Sequence, residues 1–198
     1  MNIRLRCRCG KLRGEVDAQR IAARAVCYCK DCQAFARFLK AQDVVLDAAG
    51  GTEVEATLPA AVRFTAGTEH LACMSLSPKG IYRWYASCCN TPVGNTPRDP
   101  KMSYVGLVRT CLDAPDEGLD RALGRARFTA NTASASGPVQ STPVAALLAV
   151  ARIGMALARA RMGGGWRSNP FFDAAGAPVR TPRVLTREER AALTPTTP

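Results

Sequence analysis

Three cysteines fall within six positions of the stretch VCYCKDCQ, at Cys27, Cys29 and Cys32. Packing a domain of this size does not call for thiols that close together. Spacing this tight lets one short turn aim several sulfurs at a single point, which is how thiolate metal sites are built. Two further groups occur in the chain, Cys7-Arg8-Cys9 and Cys88-Cys89, each too far along the sequence to join the first except by folding. Any fold available to this chain must account for all three groups.

The cysteine count also bears on compartment. Nine cysteines leave one over in a complete disulfide framework, and the N-terminal stretch MNIRLRCRCGKLRG has no apolar run ahead of a cleavage site. The expectation is a cytoplasmic protein, where clustered thiols persist as thiolates or metal ligands rather than as bridges. At 198 residues, 47% hydrophobic and 22% charged, the composition is that of a globular chain able to bury its own core. The formal charge is +11, and residues 141–198 hold 8 Lys/Arg against 3 Asp/Glu, so the C-terminal part is the more basic per residue. A cationic surface suits anionic small molecules, acidic partners, membranes or nucleic acid. With no aromatic–basic stacking pattern or DNA-binding motif, specific nucleic-acid recognition is not expected.

Hydrophobic periodicity points to a mainly β, antiparallel architecture. Ile3, Leu5, Cys7 and Cys9 alternate with Arg4, Arg6 and Arg8, the period of a strand with apolar and thiol groups on one face. Val44–Leu46, Val62–Thr65, Leu71–Leu76, Ile81–Tyr85 and Met102–Val108 read as further strands. Turn signals lie between them at Gly50-Gly51, Ala66-Gly67, Pro78-Lys79-Gly80 and Asn95-Thr96-Pro97. One internal helix is predicted, with Asp31 as its cap and Phe35, Phe38 and Leu39 at helical spacing. Beyond about residue 112 the character changes. Residues 119–128 form a short helical stretch, 131–143 read as a linker, and 144–162 as a helix opened by Pro143 and closed by Gly163-Gly164-Gly165. Thr186 and Glu189 are spaced as a capping box for a last helical turn. The domain organisation expected is a zinc-binding domain over residues 1–112 and a basic C-terminal extension over 113–198.

The helix at 144–162 has one charge, Arg152, between Val144 and Ala158. That apolar run is short of the roughly 20 residues a bilayer span needs, so no transmembrane segment is expected. Docking against the β-domain or a second subunit is the expectation, with attachment to a membrane surface through the basic end as the alternative.

Among the thiols, Cys29 and Cys32 make a local pair with Cys27 two residues upstream. A thioredoxin-like redox pair would want a βαβ context that the pattern does not supply. Adjacent strand residues point to opposite sides, so Cys88 and Cys89 can share a site only if the backbone turns there; Asn90, tolerant of the left-handed region, suggests that it does. Cys73 and Cys111 read as buried apolar cysteines, with Cys73 a reserve ligand. His70, the single histidine, reads as a surface or strand-end residue and is the one imidazole available for proton transfer.

The order C-x-C-G (Cys7, Cys9, Gly10), C-x-C-x-x-C-Q (Cys27, Cys29, Cys32, Gln33) and C-x-T-P (Cys89, Thr91, Pro92) resembles the glutathione-dependent formaldehyde-activating enzyme family, which includes centromere protein V. The likeness covers roughly residues 3 to 108. It implies a β-tent of antiparallel sheets with zinc knuckles, here with an α-helical C-terminal extension, and two zinc ions. A structural ion would fall on Cys7, Cys9 and Cys89, with either Cys88 or Cys73 as fourth ligand because Ala86 stands where the family has a cysteine. A second ion with an open position would fall on Cys27, Cys29 and Cys32; Tyr28 replaces the family's usual histidine and Asn90 its usual glycine. The activity implied is a carbon–sulfur lyase acting on a thiol–aldehyde adduct, with a small thiol such as glutathione as partner. Arg4, Arg6, Arg8, Lys30 and Arg37 are then candidates to meet its carboxylates. The alternative is a non-catalytic, zinc-stabilised binding or scaffold protein.

Overall fold

The computed structural model describes residues 2–113, 118–123 and 128–195. In chain order its elements begin with β1 (Asn2–Arg6), β2 (Arg13–Asp17), β3 (Ala23–Cys27), α1 (Lys30–Phe38), α2 (Gln42–Val45), β4 (Thr52–Thr57), β5 (Val62–Ala66) and β6 (Leu71–Ser75). They continue with β7 (Tyr82–Ala86), β8 (Thr91–Thr96), β9 (Val105–Val108), β10 (Leu112–Asp113), α3 (Leu119–Leu123), β11 (Phe128–Ala130), α4 (Pro143–Met162), β12 (Arg183–Val184) and α5 (Arg187–Leu193). The fold is mainly β, as the periodicity predicts, with a long C-terminal helix. A smaller sheet runs β10-β1-β2-β5 and a larger one β11-β3-β4-β9-β8-β7-β6-β12. Among the described residues all strand pairings are antiparallel except the two outermost of the larger sheet, β11 on β3 and β12 on β6.

The two sheets share one core. Ile3, Leu5, Val16 and Val62 from the smaller sheet pack with Leu71, Trp84, Val93, Val105 and Leu107 from the larger, because alternation turns every second side chain inward. The opposite face of the larger sheet is covered by α1 and α2, whose Phe35, Leu39 and Val45 pack on Met74, Leu76 and Val108. Strands β6 and β9 are therefore buried on both faces, which is why their sequences read as apolar runs.

Several strands escaped the hydrophobic pattern for identifiable reasons. In β4, Glu53 and Glu55 look like solvent-facing residues. Glu55 is instead 1% exposed and pairs across the strand register with buried Arg24 at 3.1 Å. A charged pair of this kind fixes register more than it adds stability. In β8, Asn95 and Thr96 read as a turn but lie within the strand. There Asn95 Oδ1 accepts from Arg83 (3.1 Å) and Thr96 Oγ1 from Trp84 Nε1 (2.9 Å). The run Val44–Leu46, expected to be a strand, falls on the helical turn α2 and the residue after it, held by Val45 N–H donating to Ala41 O. The strand expected from Met102 starts only at Val105. The internal helix is present, but Cys29 caps it rather than Asp31, which sits in the first turn.

The C-terminal part is built into the same body. Phe171 and Phe172 enter the shared core, with Phe171 tilted against Trp84 at 5.1 Å and edge-on to Phe64 at 5.6 Å. Arg180 donates to the carbonyls of Leu71 and Thr68. The expected linker is docked too: Ser134 O accepts from Gln33 and Ser136 N–H donates to Ala49 O. Of the helix expected over 119–128, Leu119–Leu123 is helical, residues 124–127 lie outside the described set, and Phe128 opens β11. The capping box at Thr186 and Glu189 is formed as the spacing predicts.

Helix α4 starts at Pro143 and ends at Gly163, as the sequence reads. By length and composition it could cross a membrane, yet little of it is buried. Its contact with the body runs through Ala149 and Ile153, against Ala23, Ala56, Tyr104 and Phe128.

Phe171→Ala removes a fully buried ring that both sheets touch. It should destabilise the fold by about 3–5 kcal/mol, read as a lowered urea midpoint. A loss below about 1 kcal/mol, the level of a surface change, would mean that residues beyond 170 do not complete the core.

Candidate metal centres

Cys7, Cys9, Cys88 and Cys89 converge so that their sulfurs all lie within 4.8 Å of one another. The reason is two turns facing each other across the sheet seam. Strand β1 stops at Arg6, so the alternation carries Cys7 inward but does not continue to Cys9. Instead Cys7–Gly10 is a tight turn, closed by Gly10 N–H to Cys7 O at 2.9 Å and by Gly10 at φ 77°, a conformation open to glycine at no steric cost. Leu12 N–H then points at the Cys7 sulfur (3.3 Å). On the other side, the chain turns between β7 and β8, with Cys89 N–H donating to Ala86 O and Asn90 at φ 54°. That turn brings adjacent cysteines to one side, answering the geometric objection raised by their spacing. Arg8 joins the two turns: its N–H donates to Thr91 Oγ1 (2.9 Å) and its guanidinium to Cys89 O (3.0 Å).

The sulfur separations are 3.5 Å for Cys7–Cys9, 3.7 Å for Cys7–Cys88, 3.3 Å for Cys9–Cys88 and 3.8 Å for Cys88–Cys89. Zinc–sulfur bonds of about 2.3 Å in a tetrahedron separate the sulfurs by about 3.8 Å. The donor set therefore fits a four-thiolate ion. Of the two candidates for the fourth position, the geometry brings in Cys88; Cys73 lies buried in β6 outside the group.

Cys27, Cys29 and Cys32 form the second group, also within 4.8 Å. Cys27 ends β3, Cys29 caps α1 and Cys32 occupies its first turn, with Cys32 N–H donating to Cys29 Sγ at 3.3 Å. A helix N-terminus favours thiolate through its free N–H groups and dipole. Two residues that the sequence did not single out stand beside this group. Arg83, almost wholly buried and lying over the Phe35 ring, brings Nη1 to 4.0 Å from Cys32 Sγ. Asn131, in the stretch read as a linker, donates Nδ2 to Cys27 Sγ at 3.3 Å. Arg83 was legible only as the residue facing away from Trp84 in YRWY; nothing local marked Asn131. Three thiolates holding one divalent cation would leave a single negative charge, which the buried guanidinium would offset.

The electrostatics of each group single out one thiolate. Hydrogen bonds from Cys29 and then Cys32 hold the Cys27 thiol far below its ordinary value, while Cys29 and Cys32 are pushed up by giving theirs to Cys27. In the other group, burial works to raise Cys89, but hydrogen bonds from Thr91, Cys9 and Cys7 outweigh it and bring it down to about 6. Cys88 is raised, first by burial and then by Cys9, Cys7 and Cys89. Burial above all pushes Cys73 and Cys111 up to about 12, consistent with their reading as apolar thiols.

The remaining sites fall as follows. Tyr28, at the position the resemblance gives to histidine, is buried and donates its hydroxyl to Asp47 Oδ2 at 3.1 Å. His70 ends a short helical turn before β6, and its carbonyl accepts from Ser87 in the turn that carries Cys88. Arg4 and Arg6 lie on the exposed face of β1, Arg6 beside Asp113 at 3.5 Å. Arg37 donates to Leu193 O. Of the five basic candidates, Lys30, exposed at the start of α1, adjoins the three-thiol segment in the chain.

A β-protein with two sheets and two thiol groups, each able to hold a metal ion, is the class that fold and site define. The chain belongs to the family described as a family of unknown function, DUF6151, whose model matches residues 1–181. No curated protein matches it. Among solved structures it is similar to a structural-genomics protein of Rhodobacter sphaeroides, with 19% identity and a TM-score of 0.43, over 64% of this chain and 99% of that one.

With metal removed and thiols reduced, iodoacetamide near neutral pH should modify Cys27 and Cys89 first. The Cys89 rate should climb as pH rises through about 6, where its thiolate forms, while Cys73 and Cys111 stay unmodified until the fold is opened. Peptide mass mapping reads the order, and equal labelling of all nine thiols would contradict the geometry.

Proposed function

We propose that this is a zinc-binding β-protein in which two ions stabilise the fold and the exposed surface binds a partner. The four-thiol site is closed and structural; the three-thiol site leaves one tetrahedral position for an outside ligand. The observation that carries the reading is the gathering of seven cysteines from three remote segments into two groups of metal-ligand geometry. Residues 1–112 contain every cysteine and form the metal-binding unit, with 113–198 as the extension. Exposed and half-exposed free thiols in such numbers persist in a reducing compartment, which supports a cytoplasmic location.

Elemental analysis of reduced, natively purified protein should find two zinc ions per chain. Cys29→Ser should remove one and lower the urea midpoint a little; Cys9→Ser should remove the other and lower it more, because its site ties the two sheets. Absence of bound metal in the unsubstituted protein rejects the reading.

A second reading is the carbon–sulfur lyase implied by the likeness to glutathione-dependent formaldehyde-activating enzymes. What favours it is the three-thiol group itself, with a buried guanidinium beside it and a donor set that would bind and activate a small thiol. What weighs against it is proton transfer: Tyr28 is engaged with Asp47, and His70 sits against the other thiol group's turn. Zinc-loaded protein should accelerate equilibration of glutathione with formaldehyde and lose the effect in Cys29→Ser if this reading holds. An unchanged rate leaves the binding reading.

A further inference from the structure

Helix α4 is packed inside out. Its inward stripe is made mostly of small residues, Ala146, Ala149, Ala156 and Ala160 with Ile153 and Leu157, while most of its large apolar side chains point to solvent. Leu147 is 70% exposed, Leu148 54%, and Val144, Val150, Met155 and Met162 are exposed as well. A contiguous apolar surface of this kind marks an interaction site rather than a solvated face.

Charge chooses the occupant. From Phe128 through Phe172 the chain carries four arginines, Arg152, Arg159, Arg161 and Arg167, and no carboxylate. Two copies of α4 packed antiparallel would bring their midpoints together, and Arg152 stands at the midpoint with no acid on either helix to meet it. An anionic bilayer surface has the complementary charge. Between the helix and the body runs a groove of about 580 Å³, lined by Arg20, Ile21, Leu58, Arg152, Met155 and Arg159, again without a carboxylate. Apolar walls beneath paired guanidinium groups suit a lipid phosphate with the first part of its chains. At the helix end the Trp166 ring has Arg167 at 4.7 Å and Lys101 at 6.0 Å, an aromatic and cationic grouping suited to the headgroup layer.

Topology decides how the helix meets the bilayer. Thr142 accepts from Thr129 N–H on β11, a strand of the larger sheet, and Phe171 is buried in the shared core a few residues past the helix. Both ends are fastened to one body, so the helix cannot cross without dismantling the sheet.

We infer that α4 seats this protein on an anionic membrane surface, lying in the plane of the headgroups with its outward apolar face immersed. The inference supplies a partner for the binding reading above, but it needs no metal, and zinc content and membrane binding are separate readouts.

The test is flotation of the full chain with vesicles of phosphatidylcholine alone and of phosphatidylcholine with phosphatidylglycerol. Binding is expected to the mixed vesicles only and to be released by high salt. Each of Arg152→Gln and Arg159→Gln should lower partitioning about fivefold, the effect of about 1 kcal/mol per basic residue near an anionic surface. Leu147→Glu with Leu148→Glu should abolish binding with the circular dichroism unchanged, since both side chains are exposed in the free protein. The inference is overturned by equal binding to both vesicle types, by binding to neither, or by binding that the leucine substitutions leave intact. Retention through an alkaline carbonate wash overturns it in favour of a span. A concentration-dependent dimer in sedimentation, dissociated by the leucine substitutions, overturns it in favour of a second copy.

Discussion

Four sulfurs at the seam of two sheets are the constraint around which the rest is arranged. Cys7 and Cys9 come from the turn after the first strand of the smaller sheet, Cys88 and Cys89 from a hairpin turn of the larger, and all four sulfurs lie within 4.8 Å of one another. Thiolates cannot approach so closely without protons or a cation between them, since each raises the pKa of its neighbours. The proposed ion resolves that conflict and turns it into a clamp joining sheets that otherwise meet mainly through side-chain packing. Arg8 braces the same junction, bound to both Thr91 and the Cys89 carbonyl.

The second thiol group is placed by a different device. The larger sheet is covered on one face by the smaller sheet and on the other by α1, so the connection from β3 into α1 lies at the edge of a helix–sheet layer. Cap, first turn and strand end each deliver one sulfur, and a buried arginine from β7 stands beside them. One group gathers four sulfurs between sheets; the other gathers three at a helix N-terminus. That difference in construction is what the proposed division into a structural and a binding site rests on.

Polarity was the main obstacle to reading this fold. Alternation and turn residues marked β1, β5, β6 and β7, and the caps of α4 and α5 were legible from Pro143, Gly163 and the Thr186–Glu189 pair. Strands β4 and β8 were hidden because their polar residues are satisfied across the sheet rather than by water, Glu55 by Arg24 and Asn95 by Arg83. Val44–Leu46 misled in the other direction: β-branched residues formed a helical turn because Ala41 begins one there and Val45 packs on the core. Local propensity gives way wherever a long-range partner is available.

The sequence by itself determined which atoms could gather: seven clustered sulfurs, two buried spare thiols, an alternating β pattern, and an apolar helix with arginines and no acids. Those are matters of composition and short-range spacing, and they survive any reading of the fold. Only the tertiary structure decided that Cys88 rather than Cys73 completes the four, that Arg83 and Asn131 stand beside the other three, and that the large face of α4 is left uncovered. Each of those depends on segments dozens of residues apart meeting in register, and nothing in a local pattern encodes which distant strand will arrive alongside.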